Sequence, residues 1–236
     1  MNSAATTLTL YELAAADPAL RFSPHCWKTR MALAHKRLDA LRLPWRFTET
    51  EALAFSGQSR VPVLVNGAET IADSWRIALY LDERFPDAPS LFGAADAIAP
   101  VRFINSWADG ALSPAIGRII LRDIHDRLGD ADRVYFRASR EIRYGQSLED
   151  VVADRPTHLS NLQRVLAPLR ETLKHQPFLS GEAPAYADYC VFGMFMWARC
   201  VSLVELLEDR DVVFAWRDRL LDAFGGLARS APRHQP

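Results

Sequence analysis

The spacing of apolar residues changes part-way along the chain, and the change divides it in two. Thr7–Leu13 (TLTLYEL) alternates polar and apolar side chains, the period of a half-buried strand. After a loop ending at Phe22, Ser23 is a favoured helix cap and Pro24 suits the first helical position, where a missing N–H costs nothing. A helix is therefore predicted from Ser23 to about Lys36, with Trp27, Met31, Ala34 and Leu38 near one face. A second strand is predicted around Leu43–Phe47. Val61–Val65 (VPVLV) reads as a third, its proline confined to the first residues or an edge. Asn66-Gly67 makes a tight hairpin turn into a returning strand at Glu69–Ala72. Asp73–Phe85 then reads as a helix with Trp75, Leu79, Leu81 and Phe85 inward.

Pro86–Pro100 (PDAPSLFGAADAIAP) is too rich in proline for regular structure and marks a domain boundary. Beyond it the period is helical: Val101–Leu128, Ala131–Gln146, Leu148–His175, Ala187–Leu207 and Asp211–Phe224. The expected architecture is an α/β domain over residues 1–86 and an all-α domain over 98–236.

Composition narrows the function. At 236 residues and 49% hydrophobic, the chain can bury a sizeable core without disulfides or a structural metal. Its 28 Lys and Arg nearly balance 29 Asp and Glu, so no overall field draws nucleic acid or an anionic membrane, and a small-molecule partner is expected. Met1–Leu13 lacks the basic and apolar stretches of a secretory signal, and Tyr189–Leu207 is interrupted by Arg199 and Glu205, so a cytoplasmic protein is expected. Cys26, Cys190 and Cys200 match neither a zinc site nor a disulfide framework and are expected as reduced thiols.

Arg60-Val61-Pro62-Val63-Leu64 followed by Asp73-Ser74, then Tyr80-Leu81 and the proline-rich linker, resembles the glutathione site of the glutathione transferases. Ser23-Pro24-His25-Cys26-Trp27-Lys28-Thr29-Arg30 lies where serine-type and cysteine-type members carry the active residue, at the start of the first helix. Phe178-Leu179-Ser180-Gly181 and Ala187-Asp188-Tyr189 are similar to the loop and helix start of the family's helical domain. Within the family the chain looks most like bacterial beta-etherases and fungal-type relatives, notably at Asp73-Ser74-Trp75, Leu81-Asp82-Glu83, Ser139-Arg140-Glu141 and Leu148-Glu149-Asp150-Val151. Ala185 departs from the pattern: many members have a Ser or Thr there, and Asp188 is left without a reciprocal capping partner. The resemblance implies a thioredoxin-like glutathione-binding domain, an all-helical second domain, glutathione as co-substrate, no metal, and a homodimer.

It also implies roles. A thiol of pKa about 8.5 is only a few per cent ionised at neutral pH. Lowering that value by roughly two units stabilises the thiolate by about 2.7 kcal/mol. Ser23 offers a hydroxyl donor beside a helix N-terminus, although the same hydroxyl is wanted as an N-cap. Pro62 resembles the family's cis-proline, which lets Val61 pair with the cysteinyl segment of glutathione. Ser74 and its N–H would hold the γ-glutamyl carboxylate, Asp73 the ammonium group and Arg60 the glycyl carboxylate.

Other groups have plainer readings. Tyr11 lies inside a strand, away from the helix start. Cys26 follows a position where a redox motif has its first cysteine, here Ser23, which disfavours thiol-disulfide exchange. His25 and Cys26 are adjacent on a helix and do not face each other. Cys190, Met194, Met196, Trp197 and Cys200 read as core. The arginines between Arg118 and Arg143 read as a solvated face, with a few available to rim the electrophile site. The expected reaction is attack by glutathione thiolate on an electrophilic carbon of an apolar, aromatic substrate, with an aryl ether or halide as leaving group. A non-catalytic binder of glutathione or apolar ligands and a glutathione-dependent isomerase remain as alternatives.

Overall fold

A computed structural model describes residues 8–235. Thr7, at the head of the predicted first strand, lies outside them, as does most of the segment examined for a targeting signal. The first half is a four-stranded sheet in the order β2-β1-β3-β4. Strand β1 (Leu8–Leu13) runs parallel to β2 (Ala40–Trp45) and antiparallel to β3 (Val63–Asn66), which turns back into β4 (Glu69–Ala72). Helix α1 (Pro24–His35) links β1 to β2, and α2 (Ser74–Arg84) follows β4. This is the expected thioredoxin-like arrangement.

The differences have local causes. The predicted second strand is displaced, because β2 is an edge strand that exposes half of its residues and so carries little alternation. Its Pro44 is tolerated there because one edge needs no ladder donor. β3 is interior and begins only at Val63, so Val61 and Pro62 precede it. A 3-10 segment at Thr50–Ser56 falls between β2 and β3. In α1, Trp27 and Met31 are buried as predicted while Ala34 is only partly covered, as is Leu38, which lies beyond the helix end at His35. In α2, Trp75 and Leu81 are buried together with Ile77 and Ala78, while Leu79 and the following Phe85 are partly buried against the same core.

The second half is helical throughout. α3 (Ile98–Trp107) passes through a π turn, Ala108–Leu112, into α4 (Ser113–Arg127), which splits the single helix predicted over this stretch. α5 spans Asp130–Tyr144. The predicted Leu148–His175 helix is three: α6 (Leu148–Val152), α7 (Arg155–Val165) and α8 (Ala167–Leu173). Pro156 and Pro168 sit in the first turns of α7 and α8, since neither can occupy a helix interior cheaply. α9 (Tyr186–Val201) is buried nearly all round, with Cys190, Met194, Met196 and Cys200 in the core as expected and Trp197 partly covered. It ends before the predicted boundary, and α10 (Val212–Gly226) closes the domain. No helix among the described residues is long and apolar enough to cross a membrane.

α9 is also what joins the halves, because α1 lies along it. Their approach is close enough that a Cβ on Gly193 would overlap the carbonyl oxygen of Pro24 and stand 3.2 Å from Lys28 Cγ. The loop before α9 hangs on Asp188, which is fully buried. Its carboxylate accepts from Leu179 N (2.8 Å), Ser180 N (3.1 Å), Ala185 N (3.2 Å) and Trp216 Nε1 (2.8 Å). The missing hydroxyl at Ala185 is therefore not felt as an unsatisfied acid. Asp188 N bonds to Ala185 O at 3.0 Å instead of to a side chain.

Candidate functional site

Two helix starts define the site. Ser23 is extended (φ −60°, ψ 128°), and its Oγ accepts from Cys26 N at 3.3 Å, a long bond that caps α1. Trp27 ties the same turn down through Nε1 to Arg21 O at 3.1 Å. Asp73 caps α2 with one oxygen, Oδ1, which accepts from Trp75 N (3.0 Å) and Arg76 N (3.1 Å). Its backbone has φ 78°, a conformation that costs a non-glycine residue on the order of 1–3 kcal/mol and persists only where surroundings enforce it. The enforcing contacts are visible: Asp73 N donates to Pro62 O at 3.3 Å, and Tyr186 Oη donates to Ser74 O at 2.6 Å from the start of α9.

The Val61–Pro62 peptide bond is cis, directly ahead of β3. Val61 is half-buried, Ser74 is buried, and Arg60 and Asp73 are exposed. Arg60 makes no ion pair among the described residues. The segment 60–62 thus abuts the start of α2, while Ser23 belongs to the start of α1. His25 stands two residues after Ser23 and lies within the electrostatic reach of both Asp73 and Arg60.

Around His25 lies a cluster that sequence reasoning missed. Lys28 is wholly buried, and its Nζ donates to Asn105 Oδ1 at 2.8 Å and Asp109 Oδ1 at 2.6 Å. Asn105 Nδ2 donates to Asp109 Oδ2 at 3.1 Å, and His25 Nδ1 lies 3.8 Å from Asp109 Oδ1. Asp109 belongs to the π turn, a distortion that re-aims side chains and recurs at functional sites. Desolvation by the surrounding protein, then the charge of Lys28, holds the His25 imidazole down at about 4, against the pull of Asp109 and Asp73. The ring is neutral at pH 7. Only the π turn could have signalled this cluster, and nothing in the local sequence announces it.

The remaining groups are inert or structural. Burial pushes the Cys26 and Cys190 thiols up to about 12 and Cys200 to about 11, so none supplies a thiolate near neutral pH. Tyr11 lies in mid-strand against Phe55, with ring centroids 5.4 Å apart. Arg122 and Arg137 pair with Glu149 on the outer face. Arg140 departs from that face: half-buried, its guanidinium lies 4.7 Å from the Phe136 ring and 5.7 Å from Phe47, within reach of the charge on Arg60. No group of three or more His, Cys, Asp or Glu among the described residues could hold a metal ion.

A small mixed sheet flanked by α1 and α2, docked on a helical half through α9, is the architecture of a glutathione transferase. Comparison with known proteins agrees. Residues 22–84 match the glutathione S-transferase N-terminal domain and residues 100–224 the glutathione S-transferase C-terminal domain, so the chain belongs to that family. It is 29% identical over 148 residues to the glutathione S-transferase-like protein ustS of Aspergillus flavus, covering 53% of this chain and 49% of the relative. It is 31% identical over 126 residues to glutathione S-transferase 1 of Dianthus caryophyllus, covering 51% and 57%. The chain thus spans about half the length of these relatives. A glutathione S-transferase of Ceriporiopsis subvermispora, crystallised in complex with glutathione, shares the fold with a TM-score of 0.79 at 21% identity, over 92% of this chain and 96% of that one.

Proposed function

We propose that the protein is a serine-type glutathione transferase in which Ser23 stabilises the thiolate of bound glutathione for attack on an apolar aromatic electrophile. The observation that carries the reading is Asp73: an acid held at φ 78°, with one carboxylate oxygen spent on helix amides and the other left over. A strained, exposed polar residue at a helix start calls for a ligand to justify it. In this reading the spare oxygen takes the γ-glutamyl ammonium, Ser74 with its helix N-terminus takes the carboxylate, Val61 pairs with the cysteinyl backbone, Pro62 shapes that approach and Arg60 takes the glycyl carboxylate. The Ceriporiopsis protein of the same fold binds glutathione, which supports the assignment.

Ser23 suits the thiolate because its two roles do not compete. The oxygen accepts from Cys26 N, which leaves the hydroxyl proton for donation. Glutathione acts as co-substrate, its sulfur forming the new bond to carbon while the leaving group departs with the electron pair. Cleavage of aryl ethers, as in the beta-etherases the sequence resembles, is the reaction we favour. Exposed Val134, Ala138 and Ile142 at helical spacing on α5 support a homodimer, checked by light scattering.

Ser23→Ala tests the core of this reading. It should keep most glutathione affinity while raising the bound thiol's pKa by about one to two units, equal to roughly 1.4–2.7 kcal/mol. Thiolate absorbance against pH, beside turnover of an aryl ether, is the readout. An unchanged titration curve in Ser23→Ala would remove Ser23 from the mechanism. No glutathione binding at millimolar concentration would remove the function.

A further inference from the structure

We propose that a cavity beside the C-terminal tail is a second binding site, one for an organic phosphate monoester whose phosphoryl group sits among Arg199, Arg217, Arg229 and Arg233. It is separate from the candidate glutathione site and does not depend on that reading.

The cavity, of about 320 Å³, lies between the end of α9, the segment 202–206, α10 and the chain from 229 to 235. α9 and its cap supply Phe195, Ala198, Arg199 and Ser202, the spacing of one helix face. Phe195 stands roughly half a turn round α9 from Gly193, the residue that meets α1. This face is therefore turned from α1, and none of the candidate glutathione residues lines the cavity. The tail that carries Arg233 is pinned in place by His234 N, which donates to Cys200 O at 2.8 Å.

The four arginines are only half answered. Arg217 pairs with Glu205 at 3.5 Å, and Arg229 pairs with Asp218 at 3.0 Å and with Asp222. Arg199 and Arg233 have no carboxylate at ion-pair distance among the described residues. Arg199 is nonetheless held: Nη2 donates to Arg229 O at 3.1 Å, while Nη1 is buried without a partner. Arg217 lies 4.5 Å from the Phe214 ring, and its Nε is likewise buried and unbonded. Burial, then the charges of Arg233, Arg229 and Arg217, keeps the Arg199 pKa below its ordinary value. Two unanswered guanidiniums in a partly buried cavity suit a dianion. A phosphate monoester brings about −1.5 to −2 charges at pH 7 and three acceptor oxygens for the arginine fork, where a carboxylate brings one charge and two oxygens. Beside the arginines the wall carries Leu203, Leu206 and Leu221, which fit an apolar body on the ester oxygen.

Calorimetry of phenyl phosphate on the full chain tests the site. One equivalent should bind with a Kd below about 1 mM, more tightly than inorganic phosphate and about 10-fold more tightly than benzoate. Saturating glutathione should leave that Kd unchanged. Arg199→Gln should weaken binding about 10- to 100-fold, and Arg199→Lys, which keeps the charge but not the fork, by less. Arg233→Gln, at an exposed position, should also weaken it and serves where an Arg199 variant does not fold. Arg84→Gln, exposed at the end of α2, should bind as the native chain does. No binding at millimolar phenyl phosphate, equal affinity for benzoate or inorganic phosphate, displacement by glutathione, or undiminished binding in Arg199→Gln or Arg233→Gln would each overturn the proposal.

Discussion

Gly193→Ala sets two effects of one methyl group against each other. Within a helix this change ordinarily stabilises by about 1 kcal/mol, because glycine loses more backbone entropy than alanine. At Gly193 the new Cβ would overlap Pro24 O and stand 3.2 Å from Lys28 Cγ and 3.4 Å from Lys28 N. Two of these neighbours are backbone and cannot swing aside, so α9 and α1 must separate. Overpacking of this kind costs roughly 1–3 kcal/mol, and a backbone clash belongs to the upper half of that range. Net of the propensity gain, the loss is about 1–2 kcal/mol, a fall in Tm of about 2–8 °C for a chain of this size. Gly117→Ala is the internal control, since its Cβ would meet Tyr144 Oη at 3.3 Å and the Trp197 ring at 3.4 Å, side-chain ends that can yield. Thermal unfolding of both variants decides the matter. A Gly193→Ala protein as stable as the native one, or indistinguishable from Gly117→Ala, would refute the argument that α9 and α1 are held at glycine distance. Because the displaced turn carries Ser23, the Gly193 variant should also bind glutathione more weakly.

Asp188→Ala should cost about 3–5 kcal/mol, because it strands buried donors at Leu179, Ser180, Ala185 and Trp216. Urea unfolding measures this, and a loss below about 1 kcal/mol would mean the loop finds other acceptors. His25 should contribute an acid-sensitive limb to stability. Its folded value of about 4 lies below its ordinary 6.5, so the unfolded chain binds the extra proton and stability falls as pH drops from 6.5 to 4. His25→Phe should flatten that limb in denaturation curves taken across the interval, with an effect well short of a fully buried group because the ring is partly solvated.

Local signals carried the first half of the fold. Ser23-Pro24 announced a helix start, Asn66-Gly67 a hairpin, and the Thr-Leu alternation a strand, since each acts within a few residues. The same strand hid Glu12, which alternation puts on the buried face of Leu8 and Leu10 but whose charge argues against a core position; it is fully buried 2.7 Å from Arg30 Nε, and burial raises its pKa against that pairing. Pro156 and Pro168 divide the long predicted helix because each is tolerated only in a first turn, so the breaks are legible in the sequence. The cluster of Lys28 and Asp109 was beyond reach, because it joins residues far apart in sequence through a π turn that no breaker residue forecasts. For the candidate site, motif resemblance named the residues.

The dependence of α1 on α9 orders events during synthesis. Roughly 170 residues of chain separate Pro24 from Gly193, about 10–30 s of translation at ordinary speeds. For most of that interval, from Arg84 onward, the sheet and its two helices are complete on the ribosome, yet the flank of α1 meant for α9 stays bare and Lys28 has neither Asn105 nor Asp109 until α3 and the π turn emerge. The nascent first half therefore carries an apolar flank and an unmatched cation that only later-made helices can cover. A chain interrupted before α9 would present them to chaperones and proteases rather than mature on its own.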